Sequence, residues 1–162
     1  MIDKNIFFYM VTNMGSNCCG MQSHVPVFGD SDMLERYAER GLHSGIAAKC
    51  VSVYDGDTAT FRVILMHHFV NVKVRFRGID APEIRTRNRD EKRAATQARD
   101  YLSAKILHEE CELIDLGNDK FNSRTVATVL WKGTDICKEM LQVQGVCEYT
   151  GKSAKPSFAS RV

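Results

Sequence analysis

Two short stretches of this 162-residue chain hold the side chains that chemistry needs. The first is Asp55-Gly56-Asp57-Thr58, with two carboxylates flanking a glycine. The second is Arg75-Phe76-Arg77-Gly78-Ile79-Asp80-Ala81-Pro82-Glu83, an alternating arginine run that ends in two more acids. Hard cations such as calcium and magnesium take carboxylate and carbonyl oxygens. Asp55, Asp57, Asp80 and Glu83 therefore read as a cation site, which the Ala81 carbonyl can join. A cation beside guanidinium groups offsets charge on a pentacovalent phosphorus, each contact contributing roughly 2 to 4 kcal/mol at the transition state. A spare carboxylate can orient or deprotonate water. Together these are the parts of a phosphodiester-cleaving site. The same residues also suit an ion-pair network knitting strand ends together, and residue types alone leave both readings open.

The elements that carry these residues follow from periodicity. Residues 46–54, 58–66 and 71–79 read as three strands, the first two joined by an Asp-Gly turn. His67 and His68 fall where the second hairpin turns; neighbours on a strand point to opposite faces, which argues against a shared ion. Arg75 and Arg77 share a face by period two, and Asp80 has the opposite parity. Only a break near Gly78 brings Arg75 to Asp80, and glycine suits one. Asn88-Arg89-Asp90-Glu91 reads as a capping box opening a helix to about residue 108. Its inner side carries Ala94, Ala95, Ala98, Tyr101, Leu102 and Ile106. Residues 111–116 and 124–131 read as two further strands around a polar loop, 117–123. Gly133-Thr134-Asp135 caps a second helix with Ile136, Met140, Leu141 and Val143 inward, ending at Gly145.

Three strands, a helix, two strands and a helix predict an α+β, mainly β fold: a five-stranded OB-fold barrel with two main helices. Ahead of it, Asp30-Ser31-Asp32 caps a short amphipathic helix bearing Met33, Leu34, Tyr37 and Ala38, stopped by Gly41. The expected division is residues 1–44 as an N-terminal extension with a flexible leader, 45–150 as the barrel domain, and 151–162 as a short tail.

Composition narrows the class. The chain is 44% hydrophobic and 26% charged, as soluble globular proteins are, and a net charge of +2 points to no partner. Charge distribution says more: Lys73 to Lys105 holds ten basic residues against five acids, a stripe that suits a polyanion. Six cysteines show no paired spacing, which argues against zinc; Cys50, Cys111, Cys137 and Cys147 sit in apolar contexts and read as small buried hydrophobes, and a reducing compartment is the simpler assumption. The expected location is cytoplasmic. Met14-Gly15-Ser16-Asn17-Cys18-Cys19 adds a conditional membrane contact. Were translation to start at Met14, Gly15 would suit myristoylation, with Cys18 and Cys19 as palmitoylation sites. Secretion is the weaker reading, because the apolar run at residues 6–11 is short for a signal peptide.

The order of motifs adds a resemblance. Asp55-Gly56-Asp57-Thr58, Arg75 five residues before Asp80-Ala81-Pro82-Glu83, and Asp119-Lys120-Phe121 followed by Arg124 closely resemble the staphylococcal nuclease (thermonuclease-like) family over residues 46–150. The resemblance implies a calcium-dependent endonuclease of DNA and RNA that cleaves the P–O5′ bond and leaves 3′-phosphate ends. It implies Asp57 and Asp80 as calcium ligands with the Ala81 carbonyl, and Asp55 as a supporting acid. Glu83 would orient or activate water, and Arg75 and Arg124 would grip the phosphate. Lys120, Phe121 and Tyr149 fall where the family contacts nucleotide. This chain departs at Ala81, where the family often has Thr, and at Phe121, a frequent Tyr. Its loop before Arg124 is one residue longer. The expected substrate is nucleic acid, single strands preferred, and the expected state is a monomer without an obligate protein partner. The alternative is a non-catalytic nucleic-acid-binding module on the same barrel; the acids and arginines present favour the nuclease.

Overall fold

Strict alternation of burial builds the barrel walls. In a computed structural model that describes residues 45–65, 68–118, 124–151 and 157–160, β1 (Ile46–Asp55) turns Ile46, Ala48 and Cys50 inward. The same period two puts Phe61, Val63 and Leu65 of β2 (Thr58–Leu65) and Val70, Val72, Val74 and Phe76 of β3 (His68–Phe76) into one core. Two register shifts along β1, at Cys50/Ser52 and Val53/Asp55, bend it enough to serve two partners. Its first residues pair with β5 (Glu110–Asn118), and its later ones with β2.

The sheet closes on itself. β6 (Thr125–Trp131) pairs antiparallel with β5 and, through Val74↔Thr125, Arg75↔Val126 and Phe76↔Ala127, parallel with β3. The ring β1-β2-β3-β6-β5 is therefore a closed five-stranded mixed barrel with two helices, as an OB-type α+β fold requires. Phe61 and Phe76 meet inside it with ring centroids 6.4 Å apart. At the β5 register shift, Asp115 takes φ +52° and offers its carbonyl to Arg77 Nε at 3.1 Å, stitching β3 to the bulge.

Helix α1 (Arg89–Ile106) lies across the barrel with Ala94, Ala95, Ala98, Leu102 and Ile106 buried. Asn88 caps it, its Oδ1 accepting from the Asp90 and Glu91 N–H groups at 2.9 and 3.3 Å. The reciprocal half of the expected capping box is not made, because Glu91 reaches back beyond the cap instead. Tyr101, expected inside, is exposed, and its hydroxyl donates to Glu139. A phenol at that position keeps its hydroxyl satisfied by leaving the core.

The second helix is shorter than its pattern suggested. A tight hairpin with positive φ at Lys132 and Gly133 joins β6 to β7 (Thr134–Asp135), and Asp135 then caps α2 (Ile136–Met140). Beyond Met140 the chain continues in i→i+3 turns, so Leu141 and Val143 pack only partly against the core. The third strand likewise ends at Phe76 and not at residue 79; Gly78, at φ +79°, turns the chain into a separate β4 (Ile79–Asp80). β4 pairs with β8 (Cys147–Glu148), and a single 3-10 turn, Phe158–Ser160, follows.

All four described cysteines are free. Burial pushes the Cys50 and Cys137 thiols up to about 11 and Cys111 up to about 12, as expected of inert core residues. No helix among the described residues is long and apolar enough to cross a membrane. The short N-terminal helix, Gly15, Cys18, Cys19 and His67 lie outside the described residues.

Candidate active site

Three chain segments meet at one end of the barrel. The β1–β2 turn brings Asp57, β3 brings Arg75 directly across from Thr58, and β4 brings Asp80. The turn can approach this closely only with glycine at residue 56. A Cβ there would sit 2.7 Å from the Ala98 Cβ of α1 and 2.9 Å from the Ala81 Cβ. Gly145 plays the same part on the other side, since a Cβ on it would meet Pro82 at 2.8 Å.

Asp57 and Asp80 are only 2% and 1% exposed, and buried carboxylates need partners. Arg75 supplies them, with Nη1 2.8 Å from Asp57 Oδ2 and Nη2 2.7 Å from Asp80 Oδ1. The break at Gly78 is what lets one guanidinium reach both, as parity required. Asp57 is held further by the Thr58 hydroxyl at 2.8 Å and the Ala81 N–H at 2.9 Å. Burial pulls the Arg75 guanidinium down, but the Asp57 and Asp80 carboxylates outweigh it, and its pKa is raised. The side chain keeps 17% exposure. Among the described residues the two carboxylates and the Ile79 carbonyl accept from it, and the exposed part of a five-donor guanidinium can meet an anion.

Asp55 stands next to this pair, its Oδ1 accepting from the Asp57 N–H at 3.2 Å. Burial, and then the negative charge of Asp57, push its carboxyl up to about 7. Asp57 and Asp80 by themselves already outnumber the one guanidinium between them. Surplus negative charge and hard oxygen donors fit a divalent cation. Among the described residues no three His, Cys, Asp or Glu side chains form a ready cluster, so carbonyl or water oxygens would have to complete the shell. Ala81 is fixed beside Asp57, although the bond that fixes it uses its N–H and not the proposed carbonyl.

The other residues expected in the site sit differently. Glu83 is exposed on the connection between β4 and α1, where its N–H points to Glu91 Oε1 at 3.5 Å. Glu91 also accepts from the Thr86 hydroxyl at 2.6 Å, so it braces the loop on which Glu83 stands. Arg124 is exposed and immediately precedes β6, one residue before the Thr125 that pairs with Val74. It therefore borders the same wall as Arg75. Tyr149 is half-buried after β8 and donates its N–H to the Gly78 carbonyl at 2.9 Å. Lys120 and Phe121 lie outside the described residues. Two contributors carried no role in the sequence reading. Thr58 was visible only as the end of the Asp-Gly-Asp-Thr string, and Glu91 had a competing use as a cap.

A family model described as staphylococcal nuclease homologue matches residues 73–157 of the 162. The chain belongs to that family. Comparison with curated proteins gives no significant match. A staphylococcal nuclease homologue carries a nuclease-like, nucleic-acid-binding fold, and the barrel here is of that type. The matched region starts within β3, yet the homologue's barrel cannot close without β1 and β2, and the Asp57 that Arg75 grips lies upstream of the match.

Proposed function

We propose that this staphylococcal nuclease homologue is a calcium-dependent phosphodiesterase that hydrolyses DNA and RNA, with single strands preferred, and leaves 3′-phosphate ends. The observation that carries the reading is the partly exposed Arg75 guanidinium bridging buried Asp57 and Asp80, with the exposed Glu83 three residues after Asp80. Asp57, Asp80 and the Ala81 carbonyl would hold the calcium ion, which when bound supplies positive charge to the phosphoryl oxygens. Arg75 and Arg124 bind the scissile phosphate and stabilise the charge that builds on it. Glu83 accepts a hydrogen bond from water and orients or deprotonates it. As the water oxygen bonds to phosphorus its proton passes to Glu83, the P–O5′ bond breaks, and the departing O5′ takes a proton from solvent water. Asp55 supports the turn that holds Asp57, and Lys120, Phe121 and Tyr149 contact the neighbouring nucleotide.

The test is cleavage of single-stranded DNA with calcium and then with chelator. Activity should need calcium and be lost in Glu83→Gln and Arg75→Ala. Cleavage that persists in chelator or in either variant would falsify the assignment. Binding without cleavage in any condition would instead mark a nucleic-acid-binding module.

A further inference from the structure

The outer wall beside the site has a feature that the proposed chemistry leaves unused. Along β3, Val70, Val72 and Val74 face the core, so Phe69, Asn71, Lys73 and Arg75 share the outer face. Tyr54 of β1 joins them from across β2: the Lys73 ammonium lies 4.3 Å from its ring centroid. Arg85, two residues beyond Glu83, brings its guanidinium to within 6.0 Å of the same ring. Two cations thus lie near this ring, one from the barrel wall and one from the loop that carries Glu83.

Exposure makes this more than packing. Among the described residues three large hydrophobic side chains are exposed, and two of them, Tyr54 at 43% and Phe69 at 46%, belong to this face. The third, Tyr101, is engaged with Glu139. Arg62 of β2 adds another cation to the face, its Nε held by Asn71 Oδ1 at 3.3 Å. Lys73 and Arg75 stand two residues apart on one strand, about 7 Å, a separation comparable with that of neighbouring phosphates in a single strand. Aromatic rings for bases interleaved with cations for backbone are the physical requirements of single-strand binding.

We infer that this face is a track for single-stranded nucleic acid, with Tyr54 as the platform for one base and Lys73 and Arg75 holding successive phosphates. Phe69 marks its far end. The inference rests on the reading of nucleic acid as the substrate, and it adds which surface the strand follows away from the cut.

The experiment is equilibrium binding of the full chain to a dye-labelled oligothymidylate in chelator, so that no cleavage intervenes. Tyr54→Leu should weaken binding roughly tenfold, and Lys73→Gln should lower the slope of log affinity against log salt by about 0.7. On a strand of the same length with abasic positions, Tyr54→Leu should have no effect, because there is no base to stack. An unchanged affinity in Tyr54→Leu, or an equal loss on normal and abasic strands, overturns the track. If cleavage still dies with Glu83→Gln in that case, only the track has failed. Tyr54-dependent binding with no cleavage keeps the track and removes the nuclease, and a wild-type chain that does neither loses both.

Discussion

Two cation–carboxylate clusters tie this molecule together, and their surroundings set them apart. Arg75 bridges Asp57 and Asp80 where both acids are nearly sealed from water. Lys105 joins Glu139 at 2.5 Å, with the Tyr101 hydroxyl on the same carboxylate, in a half-buried position at the surface. Both link separate elements: the first ties the β1–β2 turn and β4 to β3, the second ties α1 to α2. Only the first collects more carboxylates than its cation cancels, Asp57 and Asp80 against the one Arg75. An ion pair that merely fastens elements has no reason to be left unbalanced in a buried place. The imbalance is what favours reading the first as a site and the second as a clasp.

Breaking each cluster should expose the difference. The largest effect belongs to Arg75→Ala. Turnover should fall at least about a hundredfold as a phosphate contact is lost, and stability should drop by about 3 kcal/mol because two buried carboxylates lose their partner. Urea unfolding and calcium-dependent cleavage measure the two losses separately. Near-normal values in both would make the bridge ornamental.

Glu83→Gln should cost about a hundredfold or more in turnover while the unfolding midpoint barely moves, since surface changes of this kind stay within about 0.5 kcal/mol. A large stability loss would mean that Glu83 holds the loop instead of water. Gly56→Ala tests the close approach of the turn. The added methyl should cost about 1 to 3 kcal/mol through contacts with Ala98 and Ala81, with activity following the loss of fold in a thermal scan.

Lys105→Ala should do least, leaving cleavage intact and shifting the melting midpoint by no more than about two degrees. The Lys105 and Tyr101 side chains lower the Glu139 carboxyl from its ordinary 4.5. What that pair contributes is therefore present above pH 4.5 and fades as the pH falls through the lowered value. A melt of wild type and Lys105→Ala should converge at low pH. Persistent separation there would give Lys105 a role beyond charge.

The barrel and the acid pair were legible because they obey short rules. Period two separated core from surface in β1 to β3, and the parity mismatch between Arg75 and Asp80 demanded the turn at Gly78 that the backbone makes. What escaped depends on which competitor a side chain meets after folding. Glu91 had the spacing of a cap partner, yet a threonine hydroxyl and an N–H from the preceding loop were nearer. Tyr101 fitted the helix stripe, but Glu139 arrives from an element far along the chain. Tyr54 and Lys73 meet across an intervening strand, a neighbourhood that no pattern within either strand encodes.

The parallel seam between β3 and β6 also bears on timing. It is three residue pairs long and joins parts of the chain that are synthesised well apart. Non-local pairings of this kind form late, after local hairpins and helices. Arg124 reaches the wall of Arg75 only through that seam, and β4 waits for β8, which is made later still. A chain emerging during translation can hold the first hairpin and α1 while its two arginines are still strangers. For the proposed hydrolase, the two-arginine grip on phosphate would therefore be complete only after β6 and β8 have been made.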